Sequence, residues 1–271
     1  MAVQEADILD PNQPLLEVEG LFHRFGGVVA VNGCDWQLPK GVIAALIGPN
    51  GAGKTTLANV IAGFLPLQEG RVRLNGHDIS GWRPNRVAGR GLIRTFQISR
   101  GFERLTVMEN LLVATPNQPG DSLWNAFLRP RRIKVAENAN LERASHLLGA
   151  FDLFRLRNEY AGEISGGQRK LLELARALMA EPTILVLDEP MAGISPALAD
   201  RICGHLVDLH ADGLTLLLVE HNLGIVESIC NSVTVMVEGR VLTSGTMAEL
   251  REHPGVVEAY LGREVSGLAT N

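Results

Sequence analysis

Eight consecutive residues have the types and spacing to hold a phosphate chain. Gly48, Pro49, Asn50, Gly51, Ala52, Gly53, Lys54 and Thr55 fit the pattern G-x-x-x-x-G-K-[ST]. Glycines let a loop wrap an anion with its N–H groups pointing inward, in conformations that a Cβ would forbid. A helix opening at Lys54 would aim the positive end of its dipole at the same anion. Lys54 can reach the β- and γ-phosphates of a nucleoside triphosphate, and Thr55 can offer a hydroxyl to Mg²⁺. The expected ligand is therefore ATP with Mg²⁺.

A second constellation lies further along the chain. Ile184, Leu185, Val186 and Leu187 form an apolar run that ends in Asp188 and Glu189. Beside a phosphate loop, the first acid would complete the Mg²⁺ shell and the second would face and polarise an attacking water. A third constellation is Ile164, Ser165, Gly166, Gly167 and Gln168, which opens a helical run through Leu171, Leu172, Leu174, Ala175, Ala177 and Leu178. A serine cap followed by two glycines makes a second anion-binding helix start. Two phosphate half-sites in one chain suggest nucleotide sandwiched between two copies or two related chains.

The elements that must position these residues follow from periodicity. Leu15 to Glu19 alternates apolar and polar residues and predicts a half-buried strand, as does Val28 to Leu38. Val42 to Ile47 is continuously apolar, as a central parallel strand covered on both faces would be. A helix is expected from Lys54 to about Gly63, then a strand at Arg71 to Leu74 with an Asn75–Gly76 turn. From Ile98 to Ala180 helical spacing takes over, for example at Leu141, Ala144, Leu147 and Leu148. Strands return at Ile184 to Leu187, Thr215 to Val219, Val233 to Val237 and Val241 to Thr243. Thr246 to Glu249 reads as a capping box opening a short final helix. Alternating strands and helices predict an α/β fold with a largely parallel sheet. The expected divisions are a tail at 1–14, core at 15–97, a helical part at 98–180, core again at 181–245 and a helical extension at 246–271.

Composition narrows the class. With 46% hydrophobic and 20% charged residues, the 271-residue chain can build an ordinary globular core. A net charge of -5 gives no global basic field for nucleic acid. No apolar run approaches the roughly 18–20 residues that cross a bilayer. The N-terminus lacks the basic and apolar regions of a signal peptide. Cys34, Cys203 and Cys230 are too far apart for a metal pattern and suit a reducing compartment.

On these motifs the chain resembles the ABC (ATP-binding cassette) ATPase family over nearly its whole length. The resemblance implies a P-loop NTPase core with a mainly parallel sheet, an N-terminal antiparallel β part and an inserted α-helical subdomain. Ile164 stands where the family signature usually has Leu. In the family's order, Gln97 looks like the glutamine that senses Mg²⁺, His221 like the switch histidine at the γ-phosphate, and Phe25 like the aromatic stacked on adenine. The resemblance adds Thr56 to the ATP-contacting residues and gives Glu189 and His221 the catalytic work. Ser165, Gly166, Gly167 and Gln168 would meet the ATP of a partner subunit. Ser195 stands at the position of the usual D-loop aspartate. Followed by Pro196, it also reads as a plain helix start.

Within the family, three stretches resemble the importer ATPases for branched-chain amino acids. They are Arg94 to Gln97 with Leu105 to Asn110, Asp188 to Pro190 leading to Ala192, Gly193 and Ile194, and the ending His253 to Gly262. Urea and short-amide importers share much of this pattern, and soluble ABC ATPases acting on DNA or ribosomes are the more distant alternative. The resemblance implies two membrane-spanning permease subunits, a second and related ATPase chain, an indirect link to a solute-binding protein, and a place on the cytoplasmic face of the membrane. Between Pro116 and Lys134, Trp124, Phe127 and Leu128 lie near Arg129, Arg131 and Arg132. This stretch reads either as a patch for lipid head groups or a partner, or as a small amphipathic element packed on the helical part.

Overall fold

The computed structural model describes residues 13–95, 102–116 and 130–267, the side chains of 130–132 and 261–267 excepted. The expected tail up to residue 12, Gln97, and the cluster around Trp124 to Arg132 therefore lie outside the described residues or side chains. The chain divides into two compact units, residues 1–87 with 219–271, and residues 88–218.

The first unit begins with β1 (Leu16–Phe25) and β2 (Val28–Leu38), an antiparallel pair joined through Gly26 and Gly27. β1 runs six residues beyond the predicted strand because Gly20, at φ 55°, absorbs a register shift that interrupts the apolar alternation. β4 (Glu69–Leu74) pairs on the other side of β1, and the turn at Asn75 (φ 49°) and Gly76 (φ 74°) leads into β5 (His77–Asp78). Both turn residues take positive φ, as a two-residue hairpin turn demands. The four strands form one sheet in the order β2-β1-β4-β5.

A second set of strands in this unit holds the apolar run. All five residues of β3 (Ile43–Ile47) are buried, and β3 pairs in parallel with β9 (Ser232–Val237). β10 (Arg240–Gly245) pairs antiparallel to β9 on its far side. Ala45 and Ile47 pack with Val226, Val233, Val235, Leu250 and Val256, drawn from strands and C-terminal helices alike. The unit's helices are α1 (Lys54–Ile61), α2 (Pro84–Ala88, reaching one residue past the unit), α7 (Leu223–Ile229), α8 (Met247–Glu252) and α9 (Pro254–Gly267). The ending thus holds two helices in place of the single short one expected. His253, with extended backbone, separates α8 from α9, which opens on Pro254.

The second unit carries β6 (Leu92–Arg94), β7 (Ile184–Asp188) and β8 (Thr215–Val219, its last residue at the boundary), with β7 between the other two. Every residue of β7 and β8 is buried. Its helices are α3 (Val107–Leu112), α4 (Pro130–Ala150), α5 (Gly166–Met179) and α6 (Pro196–Ala211). α3 packs on both α4 and α5. Ala144 and Leu148 of α4 are buried, while Leu141, expected on the same apolar face, is exposed. β6 had no signature of its own in the sequence. Three residues are too few to show a period, and the strand exists because β7 offers its edge.

Candidate nucleotide site

In the first unit, the glycine-rich loop leaves β3 at Gly48 and enters α1 at Lys54. Its path is braced from outside. The Ala52 carbonyl accepts from Gly239 N at 3.0 Å, and the Gly239 carbonyl accepts from Asn32 N at 2.9 Å. A Cβ on Gly48 (φ 145°) would overlap the Met236 carbonyl, and one on Gly53 (φ 97°) would overlap the Ala30 carbonyl. Both glycines are thus required by packing as well as by backbone conformation. Gly51 (φ 80°) faces open space, so its glycine answers only to φ.

The α1 helix starts without a side-chain cap and has no acid in its first turn. Its leading N–H groups and positive dipole end are therefore directed at the loop, as an anion site requires. Lys54 is buried, and its ammonium donates to the carbonyls of Gly48 (2.8 Å) and Pro49 (3.1 Å). The loop holds its own cation inside the cradle. Asn50, Gly51 and Thr55 are exposed, and Thr56 is half-buried.

Phe25 closes β1 with half its surface exposed, as an aromatic awaiting a flat partner would be. It meets His23 edge-on at 4.7 Å between ring centroids. His23 is buried and donates from Nδ1 to the Pro66 carbonyl at 3.1 Å, so the ring that supports Phe25 is itself anchored. His221 is exposed just after β8, between the buried Glu220, whose carboxylate accepts from His221 N at 3.2 Å, and Asn222, which caps α7.

The C-terminal helix also reaches the strand that feeds the loop. Tyr260 of α9 packs against the Ala45–Ile47 cluster. Burial raises the Tyr260 pKa, and its buried hydroxyl makes no hydrogen bond among the described residues. Nothing in the sequence pointed from residue 260 to β3, since a single aromatic on a helix carries no address for its partner.

In the second unit, Asp188 ends β7 with its carboxylate buried, and Glu189 follows, half-buried. Glu189 takes φ 45°, a left-handed conformation that is uncommon without glycine. The Ala192 amide closes a turn on the Glu189 carbonyl at 3.0 Å. The chain therefore turns sharply at the second acid and gives it a direction different from that of Asp188.

The structure adds a residue that sequence reasoning quoted without a role. Arg94 donates from Nη2 to Asp188 Oδ2 at 2.6 Å, and both side chains are within 5% of complete burial. The register explains the meeting. Arg94 lies opposite Val186 in the parallel β6–β7 pair, and Asp188 is two residues on, so it projects from the same face. Its one sequence signal was a cation closing the otherwise apolar Leu92–Ile93 pair.

Ser165 caps α5 in a full capping box. Its hydroxyl accepts from Gln168 N at 3.2 Å, and its own N–H donates to Gln168 Oε1 at 2.8 Å. Gly166 faces open space, whereas a Cβ on Gly167 would press on Leu198 of α6. Ser195 caps α6 by accepting from Leu198 N at 3.4 Å, with Pro196 as the first helical residue. The plain helix-start reading of Ser195 holds. Gly166 and Gly167 share an open cavity with Arg169, Lys170, Gly193 and Ser195.

Comparison with known proteins gives these constellations a context. Residues 31–192 match the family model for the ABC transporter, and residues 240–266 match that for the branched-chain amino acid ATP-binding cassette transporter. The chain is 38% identical to the high-affinity branched-chain amino acid transport ATP-binding protein BraF of Pseudomonas aeruginosa, over 93% of this chain and 99% of that one. It is 40% identical to the probable branched-chain amino acid transport ATP-binding protein LivG of Methanocaldococcus jannaschii, over 92% and 97% respectively. Among solved structures it resembles the ADP conformation of MJ1267, an ATP-binding cassette of an ABC transporter. That match has a TM-score of 0.78 and 38% identity, and covers 93% of this chain and all of that one.

Proposed function

The chain belongs to the ABC transporter family, among the branched-chain amino acid transport ATP-binding proteins, and from that premise we propose that it powers the import of branched-chain amino acids through membrane-spanning permease subunits. It is an ABC ATPase that binds and hydrolyses ATP. The observation that carries the substrate reading is the C-terminal match at residues 240–266, together with near full-length identity to two branched-chain transport ATPases. No helix among the described residues is long and apolar enough to cross a membrane. The permeation path belongs to partners.

The residues take the following roles. The loop from Gly48 to Thr56 holds the phosphates, with Lys54 exchanging its own loop carbonyls for phosphate oxygens. Phe25 stacks on adenine from its anchored position. Thr55, Asp188 and Gln97 would hold Mg²⁺. A hydroxyl, a carboxylate and an amide oxygen are hard donors of the kind that ion takes. When bound, the ion neutralises charge on the phosphates during transfer. Glu189 orients the attacking water and accepts its proton, and His221 holds the γ-phosphate. Gly166 and Gly167, with Ser165 and Gln168, present α5 to the nucleotide of a related second ATPase subunit. The helical subdomain lies within residues 98–180, and the C-terminal helices α8 and α9 buttress the loop strand. The working place is the cytoplasmic face of the membrane, where a solute-binding protein acts through the permeases.

Reconstitution in proteoliposomes tests this. With permease subunits, the second ATPase and a solute-binding protein present, leucine, isoleucine or valine should raise ATP hydrolysis. A response to urea alone would overturn the substrate, and indifference to every permease would overturn the transport reading.

A further inference from the structure

Asp188 has two claims on one carboxylate. As a metal ligand it must give an oxygen to a dication. In this structure Oδ2 is engaged by the Arg94 guanidinium at 2.6 Å, inside a site from which both side chains are almost wholly withdrawn from solvent. A buried carboxylate that stays ionised needs a countercharge, since an unpaired charge in a low-dielectric interior is strongly disfavoured. Arg94 meets that need from within the chain. Its β6 strand holds it opposite Val186, on the face from which Asp188 projects.

The surroundings leave the pair room to change. A cavity of about 30 Å³ opens beside Asp188, lined also by Thr95, Leu187, and Lys170 and Glu173 of α5. That is space for a water molecule, so the carboxylate can change its angle without moving the strand. A dication arriving on a nucleotide brings the larger charge, and two cations crowded at one carboxylate repel each other.

We propose that Arg94 is a positioning residue that competes with the metal ion for Asp188, pairing with the carboxylate when the ion is away and loosening its hold when the ion arrives. Arg94 thereby sets how tightly the metal is retained, without touching nucleotide. The proposal rests on the reading of Asp188 as a metal ligand.

The test uses the full chain loaded with ADP and titrated with Mn²⁺, free ion being read by electron paramagnetic resonance. Close charge pairs are coupled strongly enough to change an equilibrium by a factor of ten or more. Arg94→Met should therefore bind Mn²⁺ roughly tenfold more tightly than the parent chain, while Arg94→Lys, which keeps the charge, stays near the parent. Asp188→Asn should weaken Mn²⁺ binding. Mn²⁺ affinity unchanged in Asp188→Asn would overturn the metal-ligand reading and this proposal with it. A weakened Asp188→Asn beside an unchanged or weakened Arg94→Met would overturn the competition alone. Thermal unfolding without metal or nucleotide supplies a second readout. Arg94→Met should melt lower than the parent, and adding Asp188→Asn should restore most of the loss, because no unpaired charge is left. If Arg94→Met cannot be purified folded, recovery of folding in the double variant supports the pairing, and failure of both variants to fold overturns it.

Discussion

Glu189, the proposed base, sits in a backbone conformation that most residues avoid. Its φ of 45° carries a cost of about 1–2 kcal/mol, and the turn closed by Ala192 holds it there. Glu189→Gln keeps the shape and removes the base. ATP binding should persist while turnover falls by roughly 10²–10⁴-fold, the usual worth of a positioned base. Near-normal turnover would move the role elsewhere, with His221 the next residue to change. The loop glycines permit a sharper comparison. Gly51 and Gly53 both have positive φ, yet only Gly53 lies against a carbonyl, that of Ala30. Gly51→Ala should cost about 1 kcal/mol from backbone conformation alone. Gly53→Ala should cost at least about 2 kcal/mol more, since backbone must shift to relieve the overlap. Chemical denaturation of the two variants measures the difference, and equal losses would mean that the Ala30 contact yields easily.

Helix starts recur as the working element of this chain, and each is finished differently. α1 has no side-chain cap, which leaves its first amides for a ligand. α3, α5 and α8 all begin with capping boxes, at Thr106, Ser165 and Thr246. In the α8 box, the Thr246 N–H and then its hydroxyl hold the Glu249 carboxyl below the usual glutamate range. A folded-state pKa below the unfolded one adds stability above the unfolded pKa and loses it as pH falls through the folded value. The stability gap between the parent chain and Glu249→Gln should therefore be present at neutral pH and close as the solution is acidified through the carboxylate range. Paired urea titrations at several pH values read this directly. A gap that widened in acid would contradict the cap geometry. α8 leads into α9, whose Tyr260 packs on the cluster behind the loop strand, so a weakened start of α8 is relayed toward β3 by packing.

At the scale of the whole molecule, the chain offers one complete phosphate loop and one separate glycine-rich helix start. On the proposed reading the two are exchanged with a second subunit, the α5 start serving that subunit's nucleotide. Gly166 opens onto unobstructed space, and its neighbours line a broad open cavity. In a mixed dimer, Ser165→Arg on one chain should impair hydrolysis at the site whose loop belongs to the other chain. Pairing it with Lys54→Ala, placed either on the same chain or on the opposite one, identifies the affected site. With both changes on one chain, each reaches a different site and both sites fail. With the changes on opposite chains, both fall on one site and the other keeps working. The reverse pattern would show that α5 serves its own loop.

The phosphate-binding reading could be made from the sequence because its signals are local. A glycine-rich turn between a buried strand and a helix, acids closing an apolar run, and a serine before two glycines each state their chemistry within a few residues. The same holds for Ser195 and Thr246, whose caps depend on neighbours three residues away. The long strand β1 was only partly legible, because Gly20 shifts the register and hides the alternation beyond it. Leu141 shows the opposite error, an apolar residue in the right period that faces out. What only the tertiary structure decided is who meets whom across long separations. β6 is a strand because β7 has an edge to pair, Arg94 finds Asp188 because that pairing sets their register, and Tyr260 reaches the strand before the loop because two terminal helices fold back onto β3 and β9. These neighbours are chosen by packing and, for Arg94 and Asp188, by the need to neutralise buried charge, and neither leaves a periodic trace in the chain.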